Sequence, residues 1–187
     1  MNLAVNNTPI IGFSAYSGTG KTTLLKKVIP LLRLCHLRLA VIKHAHEGFE
    51  IDQPGKDSFE IRKADSYQVL ISSAKRKALI TEYGDQPEPG LQELIADLDH
   101  SRLDLILVEG FKREHFDKIE LHRVALDKPY LYPQDNDIVA LATDAPVILS
   151  KDLPLLDINK PEQIAGFICK RLNLVQEEDY IKKMNQL

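Results

Sequence analysis

The sequence predicts an α/β fold in which a mostly parallel central sheet is flanked by helices and carries an inserted β-hairpin. Short apolar runs of strand type alternate with segments whose apolar residues recur at helical spacing, which is the pattern of a parallel sheet. A glycine-rich run at residues 15–22 stands between the first strand and the first helix. The 187 residues, 44% of them hydrophobic, suit one domain of ordinary size with a substantial core.

The first three predicted elements form a β-α-β unit. Residues 9–14 are a short apolar run of the buried-strand type, and residues 22–32 place apolar side chains at helical spacing. Residues 39–42 are a second apolar run, which ends in Lys43 and His44. A strand, a helix and a second strand in this order predict parallel pairing.

The middle of the chain predicts a short helix and a hairpin. A polar loop covers residues 45–57, and residues 57–64 then have the pattern of a helix that Asp57 would cap. Strand-like runs at residues 67–72 and 78–83 lie close together in the sequence. We therefore expect them to pair as an antiparallel hairpin.

The last part of the chain predicts the rest of the sheet and its flanking helices. Residues 103–108 are the most strongly apolar run, which is typical of a central strand buried on both faces. Further strands are predicted at residues 118–124 and 138–142, and helices at residues 91–98 and 161–174. We predict a single domain over residues 1–175, followed over residues 176–187 by a polar C-terminal tail that is helical or loose.

Residues 15–22 read Ala-Tyr-Ser-Gly-Thr-Gly-Lys-Thr, which is the phosphate-binding loop pattern Gly-x4-Gly-Lys-Ser/Thr with Ala15 in place of the first Gly. In such a loop, successive backbone N–H groups point at phosphate oxygens, the Lys reaches the β- and γ-phosphates and the hydroxyl binds Mg²⁺. We therefore expect a P-loop NTPase fold that binds a nucleoside triphosphate. The predicted nucleotide-binding residues of this run are Ser17, Gly18, Thr19, Gly20, Lys21, Thr22 and Thr23.

An acidic residue after the central strand predicts the second half of a metal site. Mg²⁺ next to a phosphate-binding loop is also held, directly or through water, by a carboxylate on a neighbouring strand. Glu109 follows residues 103–108, so Thr22 and Glu109 are the predicted metal ligands. The backbone N–H of Gly110 is expected to meet the γ-phosphate. A solvent-exposed strand end is the alternative explanation of Glu109.

Charged residues in and before the long polar loop are further candidates. Lys43 ends the second strand and is predicted to face the phosphates. Asp52 and Asp57 lie where a carboxylate could position water or complete the metal shell, so Lys21, Asp52 and Asp57 are the predicted catalytic residues. A solvent-exposed loop in which Asp57 only caps a helix is the alternative. The spacing of His44 and His46 is that of a metal-binding pair, but no third ligand can be named.

Two segments compete as the reader of the base. Guanine is commonly recognised by a carboxylate that accepts hydrogen bonds from its ring N–H and amino group. Asp144 follows the strand at residues 138–142 and is the first candidate. Asn159 to Glu162 resembles the Asn-Lys-x-Asp run of guanine-binding proteins, although capping of the last helix explains it equally well.

Composition excludes several classes of protein. The net charge of −3 argues against a broad nucleic-acid surface, and no segment approaches the ~20 apolar residues that cross a bilayer. Cys35 and Cys169 have no Cys-x-x-Cys spacing, so we expect two free, partly buried thiols in a reducing compartment. These features predict a cytoplasmic protein with no nucleic-acid or membrane partner.

Several runs beyond the phosphate-binding loop carry a family resemblance. They are Val-Ile-Lys-His at residues 41–44, Asp-Gln-Pro-Gly-Lys-Asp-Ser at residues 52–58, Arg-Lys-Ala at residues 62–64 and Leu-Val-Glu-Gly-Phe-Lys at residues 107–112. With them the chain resembles the molybdopterin-guanine dinucleotide biosynthesis protein B family (MobB) from about residue 9 to about residue 172. The resemblance implies a homodimeric GTP-binding protein with weak GTPase activity. It also implies work beside the MobA-type guanylyltransferase that attaches GMP to molybdopterin, with other molybdenum cofactor biosynthesis proteins as candidate partners.

Two functions remain open at this point. In the first, the chain is a GTP-binding accessory protein whose hydrolysis is slow and dependent on Mg²⁺, with GTP and Mg²⁺ as its cofactors. In the second, it is a phosphotransferase that acts on a small acceptor. The sequence favours the first, because no second substrate-binding element or arginine-rich lid stands out. The predicted hairpin over residues 67–83 is the candidate edge for pairing with a second copy.

Overall fold

A six-stranded sheet whose hydrogen-bonded strands all run parallel forms the centre of the larger of two units. The computed structural model describes residues 8–45 and 48–185. The first unit takes its residues from the parts of the chain up to His44 and from Leu91 onward, and the second consists of Ala45–Gly90. The prediction of one domain over residues 1–175 stays a prediction.

The elements follow the predicted alternation of strands and helices. The strands are β1 (Ile10–Ser14), β2 (Leu39–Lys43), β3 (Gln68–Ser72), β4 (Lys77–Thr81), β5 (Leu105–Glu109), β6 (Lys118–His122), β7 (Ile138–Thr143) and β8 (Leu155–Asp157). The helices are α1 (Lys21–Leu34), α2 (Asp57–Lys63), α3 (Leu91–Ala96), α4 (Pro161–Arg171) and α5 (Glu177–Met184).

The order of the strands in the large sheet is β2-β5-β1-β6-β7-β8. Phe13 of β1 and Lys43 of β2 both stand in register with Glu109 of β5, so three strands end together. The loops that follow parallel strands meet at one edge of the sheet, which is where ligands bind in open α/β folds. The sheet therefore places the phosphate-binding loop next to the loop after β5.

The apolar core of the first unit lies on both faces of the sheet. Leu105 and Leu107 belong to the cluster that contains buried residues of α1 and α4, whereas Ile106 and Val108 belong to the cluster that contains Ile95 of α3. This division explains why β5 is a continuous apolar run rather than an alternating one. The prediction that it is a strand buried on both faces is confirmed, with burial of each residue from Leu105 to Glu109.

The C-terminal part of the first unit adds structure that the sequence did not define. Helix α5 lies in the predicted polar tail, where its buried Tyr180 donates a hydrogen bond to the carbonyl of Glu162 in α4. Cys35 and Cys169 are free, as expected, and both are buried rather than partly buried. Burial raises the pKa of Cys169 to about 12, so its thiol is protonated and unreactive at neutral pH.

The second unit contains α2 and the predicted hairpin, in which β3 and β4 pair antiparallel. The side chain of Arg62 in α2 is only 9% exposed, and its guanidinium donates to the carboxylates of Glu50 and Glu82. Helix α2 begins at Asp57, while Lys56 occupies the N-cap position without a side-chain cap. The prediction that Asp57 caps this helix is therefore wrong, and its charge instead lies in the first turn, where the helix dipole favours it.

Candidate functional site

The phosphate-binding loop connects β1 to α1 in a conformation that depends on its glycines. Gly18 has φ of 82° and Gly20 has φ of 93°, in the left-handed region that favours glycine. Gly20 is also the N-cap residue of α1, and no side chain caps this end of the helix. The first N–H groups of α1 therefore remain available to an anion, with the positive end of the helix dipole behind them.

The side chain of Lys21 folds back over the loop that precedes it. Its Nζ donates to the carbonyl oxygens of Ala15 and Tyr16, each at 3.3 Å. The pKa of Lys21 is held below its usual value, mainly because burial strips water from the ammonium group and next because Lys112 is close. A cation in this position gains energy from an incoming polyanion, since the anion replaces the missing solvation.

The predicted metal ligands lie together at the end of the sheet. The Thr22 hydroxyl approaches Oε1 of Glu109 at 3.5 Å, and Nζ of Lys43 lies 3.8 Å from Oε2 of the same carboxylate. Glu109 is 8% exposed, so the alternative of a solvent-exposed strand end is wrong. A hydroxyl and a carboxylate are hard oxygen donors of the kind Mg²⁺ prefers, and the pair fits that ion.

The chain turns sharply after Glu109. Gly110 has φ of 104°, and a Cβ at this position would lie 2.6 Å from Cβ of His44, so no other residue fits without a shift. The backbone N–H of His44 donates to the carbonyl of Glu109 at 2.9 Å, which extends the pairing of β2 and β5 by one residue. His44 and Gly110, the first residues after the two strands, are thereby held side by side.

Arg123 is the centre of a polar cluster on the other side of the phosphate-binding loop. It donates to the carbonyl of Thr19, to Oδ2 of Asp144 and to Oδ1 of Asn159, each at 3.2 Å. Asp144 also accepts from the backbone N–H of Val124 at 3.0 Å. That N–H, followed by Arg123, holds the pKa of Asp144 below its usual value, so the carboxylate is ionised at neutral pH.

A cavity of about 270 Å³ lies between this cluster and the phosphate-binding loop. Thr23, Lys27 and Asn159 are among its lining residues, which also include Gly18, Thr19, Gly20, Leu24, Arg123, Ile158 and Pro161. Asp144 and Asn159, the two candidates for reading the base, both accept hydrogen bonds from Arg123, and Asn159 also lines the cavity. Helix α4 has Lys160 at its N-cap position and no side-chain cap, so the interpretation of Asn159 as a helix cap is wrong, whereas Pro161 does occupy the first turn.

Sequence comparison assigns the chain to a family. The family model described as Molybdopterin guanine dinucleotide synthesis protein B (MobB) matches residues 10–144, which include the phosphate-binding loop, Glu109 and Asp144. The chain belongs to the MobB family. The molybdopterin-guanine dinucleotide biosynthesis adapter protein of Escherichia coli (strain K12) is 48% identical over 163 residues, which are 87% of this chain and 92% of that protein.

Two further relatives agree with membership of the MobB family. The Haemophilus influenzae protein with the same adapter name is 46% identical over 164 residues, or 87% of this chain and 89% of its own length. A crystal structure of molybdopterin-guanine biosynthesis protein B is 26% identical with a TM-score of 0.66, covering 87% of this chain and 99% of that one. The predicted P-loop NTPase fold is confirmed by this likeness and by the sheet.

Other predicted site residues of this MobB-family chain lie apart from the loop in sequence. Asp52 and Asp57 belong to the second unit, where Oδ1 of Asp52 accepts a hydrogen bond from Ser58 at 2.8 Å. Their catalytic role stays a prediction. His46, one half of the suggested histidine pair, lies outside the described residues. Within residues 8–45 and 48–185, no three His, Cys, Asp or Glu side chains form a group that could hold a metal ion.

Two residues close to the phosphate-binding loop, Arg123 and Lys112, are not among the candidates that the sequence predicts. Arg123 lies within the strand predicted over residues 118–124 and directly after the observed strand β6, and Lys112 follows Gly110 by two residues. Basic side chains just after parallel strands would have been the signal for both, because those positions meet at the ligand-binding edge. In the described part of this MobB-family chain, no helix has both the length and the apolar character needed to cross a membrane.

Proposed function

We propose that this chain is a GTP-binding adapter with weak, Mg²⁺-dependent GTPase activity in the synthesis of molybdopterin guanine dinucleotide. The observation that carries the proposal is the arrangement of Lys21, Thr22 and Glu109 around a phosphate-binding loop with free helix N–H groups. The names of the Escherichia coli and Haemophilus influenzae relatives supply the pathway and the adapter role.

Binding of the nucleotide would use both sides of the loop. The backbone N–H groups of residues 17–23 and the ammonium of Lys21 hold the phosphates, and Lys43 and the N–H of Gly110 face the terminal phosphate. Thr22 and Glu109 would hold Mg²⁺, which would neutralise part of the charge on the phosphates. The base enters the cavity beside Arg123, where Asp144 and Asn159 remain the candidates for reading guanine.

Slow hydrolysis fits the surroundings of Glu109. This carboxylate is already engaged by the Thr22 hydroxyl and by Lys43, so it is not free to take a proton from an attacking water. Asp52 and Asp57 are the residues proposed to position that water. Slow hydrolysis keeps GTP bound for a longer time. This suits an adapter, because the GTP-bound state persists while a partner acts.

The proposed partner is the MobA-type guanylyltransferase that attaches GMP to molybdopterin, with other molybdenum cofactor biosynthesis proteins as further candidates. A second copy of the chain is the other proposed partner. The hairpin carries Leu70 and Leu79 directly opposite each other, 63% and 57% exposed. Paired exposed leucines on one face of a two-stranded sheet are a surface that association would bury.

Calorimetric titration with GTP and ATP, with and without Mg²⁺, tests the nucleotide proposal. Lys21→Ala is expected to lower the affinity for GTP by about tenfold or more without unfolding the chain, because a charge-assisted contact to phosphate is lost. Lys26→Ala, which removes an exposed lysine from the same helix, is the matched control. Thr22→Ala should instead remove the Mg²⁺ dependence. Equal GTP affinity in wild type and folded Lys21→Ala would contradict the proposal.

A second measurement tests the adapter role. Formation of molybdopterin guanine dinucleotide by the guanylyltransferase is followed with wild-type chain and with Lys21→Ala. We expect wild type to raise the yield and Lys21→Ala to raise it less, because the variant lacks bound nucleotide. Equal stimulation by both proteins would show that nucleotide binding is not part of the adapter function.

A further inference from the structure

A buried lysine, Lys118, holds the backbone of the loop between β5 and β6 through hydrogen bonds. Lys118 is 1% exposed, and its Nζ donates to the backbone carbonyls of Lys112 and Glu114, each at 3.0 Å. The same ammonium binds Oδ2 of Asp135 at 2.9 Å. A buried cation with three oxygen partners is a fully satisfied anchor, so the backbone at Lys112 is held in one place.

Further contacts tie this loop to the strand that leads into the phosphate-binding loop. The ring of Phe116 packs directly against Gly12 of β1, and Nζ of Lys118 lies 5.4 Å from the centroid of that ring. Phe111 has φ of 52°, and its ring centroid lies 5.0 Å from that of His44. The loop is therefore ordered by packing on both sides of Lys112.

The side chain of Lys112 extends over the phosphate-binding loop. Its Nζ lies 5.4 Å from the centroid of the Tyr16 ring, within the range of a cation–π contact. Among the residues the structure describes, no carboxylate lies within ion-pair distance of this ammonium. Proximity of Lys112 is also the largest charge effect that lowers the pKa of Lys21.

Lys21, Lys43 and Lys112 thus bring three positive charges to the end of the sheet, where the carboxylate of Glu109 attracts Lys21 and lies 3.8 Å from Nζ of Lys43. Lys43 is paired with Glu109, while Lys21 and Lys112 repel each other. A charge distribution of this kind costs energy in the free protein and is relieved by a polyanion.

We propose that Lys112 binds the terminal phosphate of a nucleoside triphosphate and so makes the site prefer the triphosphate to the diphosphate. This inference deepens the proposed function and rests on it. Lys118 is the positioning residue, since it holds the backbone from which Lys112 extends. The ammonium of Lys112 thus places a positive charge at the terminal phosphate, where the negative charge of the nucleotide is greatest.

The test compares GTP and GDP binding in three full-length proteins by calorimetry. Lys112→Met should lower the affinity for GTP by about tenfold and change the affinity for GDP by less than about twofold. Arg113→Met removes the same charge from the next residue of the same loop and should leave both affinities near wild type. Lys112→Arg should keep the preference for GTP. Because Lys112 is exposed, thermal melting is expected to show an intact fold in each variant.

The outcomes separate this inference from the function on which it rests. If wild type binds GTP and Lys112→Met keeps the wild-type ratio of GTP to GDP affinity, the role of Lys112 is wrong and the proposed function stands. An equal loss for both nucleotides, or the same loss in Arg113→Met, would assign the effect to general charge and overturn the specific contact. If wild type binds no nucleoside triphosphate, both proposals fail.

Discussion

Asp144 retains the capacity to read a base although Arg123 and Val124 already bind it. An ionised carboxylate offers about four lone-pair sites, and these two partners occupy one on each oxygen. The lowered pKa of Asp144 keeps its carboxylate ionised at neutral pH. An ionised carboxylate only accepts hydrogen bonds, which is what the two donors of guanine require. Its side chain is 22% exposed, so a ligand can reach the remaining sites.

Asp144→Asn is therefore expected to reduce the preference for GTP over ATP by about 1–3 kcal/mol, the cost of leaving a buried donor unpaired. An amide offers one acceptor where the carboxylate meets two donors. Xanthosine triphosphate, whose base has a carbonyl in place of the amino group, should bind the variant better than GTP does. Competition titrations of the three nucleotides against both proteins measure this.

The control for this experiment is Asn159→Ala, which changes the other base-reading candidate and also loses a contact to Arg123. If Asp144→Asn keeps the wild-type order of affinities and Asn159→Ala does not, the base is read by the segment after β8. Thermal melting of both variants separates a loss of selectivity from a loss of structure.

At the scale of elements, the turn after β5 connects the predicted metal ligand to the rest of the site. Glu109 ends the strand, Gly110 adopts a positive φ, and Lys112 follows on a loop that Lys118 anchors. The conformation of Gly110 and its close approach to His44 both require the absence of a Cβ. The turn therefore determines where the carboxylate of Glu109 and the N–H of Gly110 stand relative to α1.

Gly110→Ala should lower the free energy of unfolding by about 1–3 kcal/mol, because the new Cβ combines an unfavourable φ with the contact at His44. Gly90→Ala is the matched control, since no atom lies within 4 Å of a Cβ built there and its φ is not in the left-handed region. Urea denaturation of both variants measures the difference. Equal stability of Gly110→Ala and wild type would mean that this turn adjusts freely.

Elements with strong local patterns were predictable from the sequence, and contacts between distant residues were not. Sequence patterns predict five elements to within a few residues: the strands β1, β2, β5 and β7 and the helix α1. The strands are continuous apolar runs because both faces of the sheet are covered, and α1 has apolar residues at helical spacing. Strand β8 has only three residues, too few for a pattern, and it was missed. Arg123 reaches Thr19 across 104 positions, a contact that no local pattern reports.

At the scale of the whole molecule, both units expose apolar side chains, and the second unit does so over a shorter stretch of chain. The first unit carries the phosphate-binding loop, the cluster of lysines and the carboxylate of Glu109. The second unit has apolar side chains on its surface, and the pairing of β3 with β4 brings Leu70 opposite Leu79. Exposed leucines at a two-stranded sheet favour association with another surface, since a lone hairpin is marginally stable in water.

Leu70→Lys together with Leu79→Lys should convert a dimer of this chain to its 21.2 kDa monomer, because burying two lysines against a second copy costs far more than burying two leucines. Sedimentation at micromolar concentration measures the change. Ile148→Lys, at an apolar residue of the first unit that is 98% exposed, is the control and should leave the assembly unchanged. A wild-type chain that sediments as a monomer would contradict the dimer, whereas a dimer that survives both lysines would place its interface outside the hairpin.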